Sequence, residues 1–208
     1  MLVTVAAYLW GSMSPSAFIA RRARGVDLSR YGSGNVGSSN VALLGGSWKV
    51  VGLLADVFKG WAAPAAASRL GFDTTVVVLV GVATVVGHSW SIWLGFRSGR
   101  GIAAGAGVLC AWDLRYIVII PLVLGVGWVT GRAALTTMII VFLLGPIAWL
   151  LSMPASIMVG AAVLSLLVAI KRLEANRLPL PPDPRDRRAV LWRRLWSDRD
   201  RSGEHSWE

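Results

Sequence analysis

The sequence predicts an all-α integral membrane protein with about seven transmembrane helices and its N-terminus on the outer side. Three observations indicate this fold class. Hydrophobic residues make up 55% of the 208 residues and charged residues only 15%, a composition unlike that of ordinary soluble domains. The apolar residues are gathered into runs about as long as a membrane-crossing helix. The basic residues, which give a net charge of +10, lie in the gaps between those runs.

Apolar runs of roughly the 20 residues that an α-helix needs to cross a bilayer occur along the whole chain. They cover residues 2–20, 49–70, 74–95, 114–131, 133–151 and 154–172. A further run, 101–112, is shorter and rich in Gly and Ala, so it either crosses as a thin, closely packed helix or is re-entrant. The first run lacks a preceding basic segment and a cleavage site of small residues, which favours a retained helix over a signal peptide.

Counting the short run as a crossing predicts the orientation of the protein. With the N-terminus outside, the cytoplasmic segments are residues 21–48, 96–100, 131–132 and the tail from Lys171. Nearly all basic residues then lie inside, as the positive-inside rule requires. The same distribution argues against nucleic-acid binding, because the charges follow the gaps between helices.

Cysteine and histidine usage excludes several other classes of site. The single cysteine, Cys110, forms no intramolecular disulfide, and the only histidines are His88 and His205. No cluster with metal-ligand spacing is present in the sequence, so we expect neither a metal nor another cofactor. The sequence does not predict an oligomeric state.

The chain divides into a transmembrane domain, residues 1–177, and a basic tail, residues 178–208. The tail begins with a proline-rich segment, 178–184, that favours an extended backbone. Residues 187–196 contain arginines and two tryptophans four residues apart, a pattern typical of a helix lying on an anionic inner leaflet. A disordered solubilising tail is the open alternative.

Residues 32–40 read Gly-Ser-Gly-Asn-Val-Gly-Ser-Ser-Asn, a nonamer of small polar residues within an apolar chain. Its glycines let backbone N–H groups converge, and its Ser and Asn side chains add donors, which suits a phosphate. Four arginines precede it: Arg21, Arg22, Arg24 and Arg30. A nucleotide-binding P-loop would need Lys at Ser38, so nucleotide hydrolysis is excluded. A plain Gly/Ser linker is the alternative.

Asp56 and Lys59 lie three residues apart within the second apolar run, hence on one face of a helix. A charge inside a membrane helix costs about 3 kcal/mol on insertion scales, so such residues are usually functional or mutually paired. One interpretation has Lys59 reaching a substrate phosphate, with Asp56 orienting it. The other is an internal pair that helps to pack the helices, and the two interpretations are compatible.

A second basic glycine-rich loop, residues 95–101, contains Arg97 and Arg100 and opens the short Gly/Ala helix. The free N–H groups of that helix's first turn and Arg100 are suited to one anion. His88 lies upstream among apolar and aromatic residues, where a lone histidine is more often structural. A solvated loop is the alternative for the two arginines.

These motifs resemble, in this order, the bacterial acyl-phosphate:glycerol-3-phosphate acyltransferase family, integral membrane enzymes that make lysophosphatidic acid. The resemblance covers roughly residues 5–110. The matching segments are Gly11-Ser-Met-Ser-Pro15, Gly25-Val-Asp27, the nonamer, Asp56-Val-Phe-Lys59-Gly60, and Gly87-His88 through Phe96-Arg-Ser-Gly-Arg-Gly101. It implies seven helices in the bacterial inner membrane, with the active face cytoplasmic.

The resemblance implies transfer of a fatty acyl group from acyl phosphate to the sn-1 hydroxyl of glycerol 3-phosphate, with no cofactor and no covalent acyl-enzyme. The implied catalytic residues are Ser33, Asn35, Lys59, Arg97 and Arg100. The implied substrate-binding residues are Gly32, Gly34, Gly37, Ser38, Ser39, Asn40, Asp56, His88, Gly99 and Gly101. Arg100 stands where the family has a substrate-binding lysine.

Other positions depart from the family pattern. Leu43 replaces an arginine, Ala134-Leu-Thr-Thr137 replaces a Ser-Leu-x-Ser motif, and Lys171-Arg-Leu-Glu174 replaces a closing His-Arg-x-Asn motif. A relative that binds acyl phosphate but uses another acceptor, or has lost turnover, therefore stays open. A small anion transporter is a further alternative, which would need polar residues continuing through the outer half of the bundle.

Overall fold

A computed structural model describes residues 1–30, 35–41, 45 and 47–198, apart from the side chains of residues 38, 39 and 177. No strand occurs in these ranges, and the all-α fold is confirmed. The α-helices are α1 (Leu2–Ser12), α2 (Pro15–Arg24), α3 (Ser38–Val41), α4 (Trp48–Arg69), α5 (Thr74–Ser89), α6 (Ile102–Trp112), α7 (Tyr116–Val129), α8 (Ala133–Leu150), α9 (Ala155–Glu174) and α10 (Pro184–Trp196).

Five helical stretches of the described chain are long and apolar enough to cross a membrane. They are Leu2–Arg24, Trp48–Arg69, Thr74–Leu94, Ala133–Leu150 and Ala155–Glu174. Helices α6 and α7 are apolar but shorter, with 11 and 14 residues. The protein is therefore an integral membrane protein by fold, while seven crossings and an outer N-terminus stay predictions.

The first apolar run is not the single helix expected for residues 2–20, because it breaks after Ser12 and resumes at Pro15. Proline has no N–H, so the carbonyl of Gly11 has no intrahelical donor. The Ser14 hydroxyl caps α2 by accepting from the N–H of Ala17 at 3.2 Å, which withdraws that donor from the Met13 carbonyl. Two carbonyls are thus left for another partner.

Glycines allow close approach between helices that are distant in sequence. A Cβ atom added at Gly11 would overlap the backbone of Thr84 on α5, and one added at Gly107 on α6 would overlap the carbonyl of Val57 on α4. Small residues at such crossings let backbones pack closely where no hydrophobic effect drives helices together. The main apolar core lies among α4 to α9.

The tail helix α10 packs against α8 and α9. It begins at Pro184, three residues earlier than expected, because the Asp183 carboxylate accepts from the N–H groups of Arg185 and Asp186 and proline suits the first helical position. The Arg194 side chain is buried beneath it. The disordered alternative is therefore wrong for residues 184–196, and the leaflet-bound alternative stays a prediction.

Candidate functional site

The Lys59 ammonium group occupies the break between α1 and α2. Its Nζ donates to the carbonyls of Gly11 at 2.9 Å and Met13 at 2.6 Å, and to Nδ1 of His88 at 3.0 Å. These are the two carbonyls that Pro15 and Ser14 leave without helical donors. Because an ammonium group has three donors and Lys59 is 3% exposed, its hydrogen-bonding capacity is used inside the protein.

Asp56 completes this buried network. Its Oδ1 lies 4.0 Å from Nζ of Lys59 and 3.9 Å from Nδ1 of His88, and its Oδ2 accepts from the Ser16 hydroxyl at 3.1 Å. Of the two interpretations that the sequence left open, the geometry favours the internal pair. The charges of Asp56 and Lys59 compensate each other where water is excluded.

His88 connects the Lys59 network to the second glycine-rich loop. Since an ammonium group only donates, Nδ1 of His88 accepts and Nε2 carries the ring proton. The ring lies directly against Gly99, where any added Cβ would overlap Nε2. The glycine at position 99 is therefore required by the buried histidine, and both residues help to position the loop that carries Arg100.

The described part of the nonamer meets the second loop at the same glycine. A Cβ added at Gly37 would lie 3.4 Å from Oδ1 of Asn35 and 3.7 Å from the Cα of Gly99. Asn35 is 4% exposed, and its Oδ1 has no hydrogen-bond partner among the described residues. The two loops that the sequence predicted on one side thus lie together, with an amide oxygen available between them.

The structure describes the side chain of Asn40 but not those of the nonamer serines. Asn40 is buried and its Nδ2 donates to the carbonyl of Leu28 at 3.2 Å, so it anchors the loop. Gly32, Ser33 and Gly34 lie outside the described residues. The side chains of Ser38 and Ser39 do too, although their backbone forms the short helix α3.

Arg100 forms an ion pair with Asp198, just beyond α10. Oδ1 of the same carboxylate lies 4.0 Å from Nε of Arg172, near the end of α9. Gly101 has a φ of 80° and turns the chain from Arg100 into α6. Arg97, by contrast, is exposed. The two arginines of the loop therefore differ, and only Arg100 is turned into the site.

An apolar cavity begins two residues beyond Arg100, at Ile102. It lies among α6, α7, α8 and α9, and its lining includes Ile102, Leu109, Leu124, Thr137, Leu144 and Val168. Arg100, which is paired with the Asp198 carboxylate, is thus two residues from the first residue that lines this cavity.

Sequence reasoning missed Arg172 and Asp198 as site residues. It also missed a cluster in which the Glu174 carboxylate accepts from the Trp90 indole at 2.8 Å and from Lys171 at 3.2 Å. The sequence contains one indication of this cluster, because three charged residues, at 171, 172 and 174, stand at the end of an apolar run. Nothing in the sequence indicated that Asp198 folds back onto them.

The fold and site together define a helical membrane protein with buried polar groups and convergent arginines suited to a phosphate-bearing amphiphile. The chain belongs to the glycerol-3-phosphate acyltransferase family, whose model matches residues 1–178. The described relatives include a glycerol-3-phosphate acyltransferase of Dechloromonas aromatica, 46% identical over 54% of this chain and 57% of that protein. Another, from Prochlorococcus marinus, is 33% identical over 76% of this chain and 73% of that protein.

The fold is similar to that of PlsY, an integral membrane glycerol 3-phosphate acyltransferase. Its glycerol 3-phosphate form superposes with a TM-score of 0.75 at 28% identity, covering 83% of this chain and 88% of that one. Its lysophosphatidic acid form gives a TM-score of 0.73. The alignment with the Dechloromonas protein spans little more than half of that relative's length, whereas the structural match covers most of both chains.

Proposed function

We propose that this protein transfers a fatty acyl group from acyl phosphate to the sn-1 hydroxyl of glycerol 3-phosphate, giving lysophosphatidic acid. The observation that carries the proposal is the position of Arg100. It lies next to Gly99, where the two glycine-rich loops meet, and two residues before Ile102, where the apolar cavity begins. This neighbourhood supports a site that takes a charged phosphate beside an acyl chain. Family membership and the likeness to PlsY support the same activity.

The acyl donor is assigned to the cavity and the nonamer. Each methylene group of the acyl chain that enters an apolar site contributes roughly 0.8 kcal/mol, so the chain supplies much of the binding free energy. Its phosphate then lies at the nonamer, where Gly37 meets Gly99 of the second loop. Gly32, Ser33, Gly34, Ser38 and Ser39 are assigned to the same phosphate by the family resemblance.

The acceptor phosphate is assigned to Arg100. A guanidinium group pairs with phosphate oxygens in two parallel hydrogen bonds, which fixes orientation as well as charge. With its phosphate held there, the acceptor presents its sn-1 hydroxyl to the acyl carbon of the donor. Holding both reactants in this way supplies most of the catalysis that acyl transfer between two bound substrates needs.

The reaction itself needs no covalent enzyme intermediate. The sn-1 hydroxyl oxygen forms a bond to the acyl carbonyl carbon, the bond from that carbon to the phosphate oxygen breaks, and the hydroxyl proton passes to the departing phosphate. Acyl phosphate is already activated, so a strong protein base is unnecessary. The protein supplies orientation and neutralises phosphate charge.

Lys59, Asp56 and His88 act in this proposal as positioning residues. Lys59 holds the α1–α2 break, and His88 rests on Gly99, so the network fixes the loop from which Arg100 extends. We place this site at the cytoplasmic face of the bacterial inner membrane, where the basic tail faces an anionic leaflet.

The test is synthesis of lysophosphatidic acid by the purified full-length protein from palmitoyl phosphate and labelled glycerol 3-phosphate. We expect product from the wild type and a loss of at least about 100-fold in kcat/KM for Ser33→Ala and Arg100→Ala. Arg69→Ala is the matched control, because Arg69 packs over Trp61 at the far end of α4. A folded wild-type protein that yields no product overturns the proposal.

A different acceptor is the second candidate, and one observation favours it. Where the family resemblance places a closing His-Arg-x-Asn motif, this chain has a carboxylate, Glu174, which accepts from Lys171 and from the Trp90 indole. The same assay with dihydroxyacetone phosphate and with glycerol, in competition with glycerol 3-phosphate, distinguishes the acceptors. Faster transfer to either compound favours this candidate.

A further inference from the structure

We propose that Arg172 joins Arg100 in a single phosphate-monoester site, and that Asp198 of the tail occupies this site until the phosphate displaces it. The inference rests on the proposed function for the identity of the phosphate ester. It adds a second arginine to the acceptor site and an internal carboxylate that competes for it. Asp198 lies beyond the family match, which ends at residue 178.

The geometry places one carboxylate against two guanidinium groups. Asp198 is paired with Arg100, from the loop before α6, and its Oδ1 is 4.0 Å from Nε of Arg172, from α9. Two cations brought together in a poorly solvated place repel each other unless an anion lies between them. Asp198 supplies that anion in the structure, and a phosphate monoester is the anion that the substrate would supply.

The Nε–H group of Arg172 is a donor that favours an anion larger than a carboxylate. Its Nη1 donates to the carbonyls of Ala134 at 3.2 Å and Leu195 at 2.7 Å, which holds the guanidinium in place. Its Nε is buried and has no hydrogen-bond partner among the described residues, although the side chain is only 2% exposed. The Asp198 carboxylate has two oxygens, and it lies closer to Arg100 than to Nε of Arg172.

A phosphate monoester fits this arrangement better than the carboxylate does. It has three terminal oxygens and a charge of about −1.5 to −2 at neutral pH, against −1 for Asp198. Its oxygens can pair with Arg100 and with Nε of Arg172 together. Exchange of Asp198 for phosphate therefore adds charge-assisted hydrogen bonds, and this is what allows the substrate to displace the tail.

The tail helix α10 is held in place by contacts that do not involve Asp198. Helix α10 is anchored by Arg194, which donates to the carbonyls of Leu173 and Leu178 at 3.2 Å, and by the Trp196 ring, 5.8 Å from that of Phe142. Asp198 lies two residues beyond the helix and has a φ of 62°, in the left-handed region that Asp tolerates better than most residues. Its side chain can leave while α10 stays docked.

The first measurement is the affinity of the full-length protein for inorganic phosphate, by calorimetry in detergent without any acyl donor. We expect Asp198→Asn to bind phosphate more tightly, on the order of fivefold, since it removes a competing partly exposed ion pair. Asp186→Asn is the matched control, because Asp186 is an exposed carboxylate on the same helix. Equal or weaker binding by Asp198→Asn overturns the inference.

Arg172 is tested with two variants. Arg172→Gln is expected to weaken phosphate binding at least about tenfold, and Arg172→Lys to restore part of it, because Lys keeps the charge and loses the fork geometry. A structural role alone would lower thermal stability in both variants without separating their phosphate affinities. Equal phosphate affinity of Arg172→Gln and the wild type overturns the assignment of Arg172.

Kinetics separate this inference from the proposed function. If the protein makes lysophosphatidic acid, Asp198→Asn should lower KM for glycerol 3-phosphate and leave KM for palmitoyl phosphate unchanged. Unchanged KM for both substrates, with product formed, overturns the inference and leaves the function standing. Tighter phosphate binding without any product supports the inference and contradicts the function.

Discussion

Replacement of Lys59 by methionine tests whether the residue holds the protein together or contacts substrate. The substitution keeps an unbranched side chain of similar length and removes Nζ with its three donors. The carbonyls of Gly11 and Met13 lose their partner, and Asp56, 1% exposed, is left without its cation. Breaking a buried pair by removing one partner typically costs about 3–5 kcal/mol, much of it from the uncompensated charge.

A loss of about 4 kcal/mol is expected to lower the thermal midpoint by roughly 10 °C for a chain of this size. The measurement is thermal unfolding of the purified protein in detergent, followed by tryptophan fluorescence. The matched control is Lys49→Met, since Lys49 is an exposed lysine on the same helix α4. We expect the control to unfold within about 2 °C of the wild type, as surface substitutions usually do.

The double variant Lys59→Met/Asp56→Asn tests whether the uncompensated Asp56 carboxylate causes the loss of stability. Removing the carboxylate charge should recover part of the stability lost in Lys59→Met, since the two changes share one interaction. Recovery of stability together with activity supports a positioning role. If Lys59→Met instead unfolds like the wild type and only raises KM, Lys59 contacts substrate and the internal-pair interpretation is wrong.

Two further predictions concern packing and pH. Gly107→Ala should destabilise the protein by about 1–3 kcal/mol, because the added Cβ overlaps the carbonyl of Val57, whereas Gly105→Ala on the same helix meets open space and should be neutral or stabilising in the same melts. Hydrogen bonds from the Ser29 side chain and backbone lower the pKa of Asp27 below 3.8. The Asp27 carboxylate therefore stabilises the folded protein at pH values above its unfolded pKa of about 3.9. This stabilisation is lost as the pH falls through the lower pKa of the folded state. Ser29→Ala should raise the Asp27 pKa measured by carboxyl-carbon NMR titration, and an unchanged value contradicts the assignment.

Much of the fold was predictable because the bilayer restricts the choices. Backbone polar groups must be satisfied within the segment in a lipid environment, so a long apolar run becomes a helix. The runs at 133–151 and 154–172 agree with α8 and α9 within a few residues. The break in the first run was also encoded, at Pro15. It was missed because the hydropathy of a run does not register the N–H group that proline lacks.

The site was predictable in composition and less so in its contacts. The nonamer, the Asp56–Lys59 pair and the second loop were identified from the residues, and the structure brings Gly37 of the nonamer to Gly99 of the second loop. Asn40 donates through Nδ2 to the carbonyl of Leu28, and its binding of substrate stays a prediction. A polar side chain in a loop has several possible partners, and only the folded backbone decides which one is within reach.

The sequence by itself determined the class of the protein, because hydropathy, charge placement and glycine-rich motifs depend on residue type and spacing. Only the tertiary structure decided that the donors of Lys59 are used by the carbonyls of a broken helix, and that Asp198 faces Arg100 and Arg172. Lys59 is 46 residues from Met13 along the chain, and Asp198 lies well beyond both Arg100 and Arg172 in sequence. Such contacts arise from how helices pack, and no local pattern encodes them.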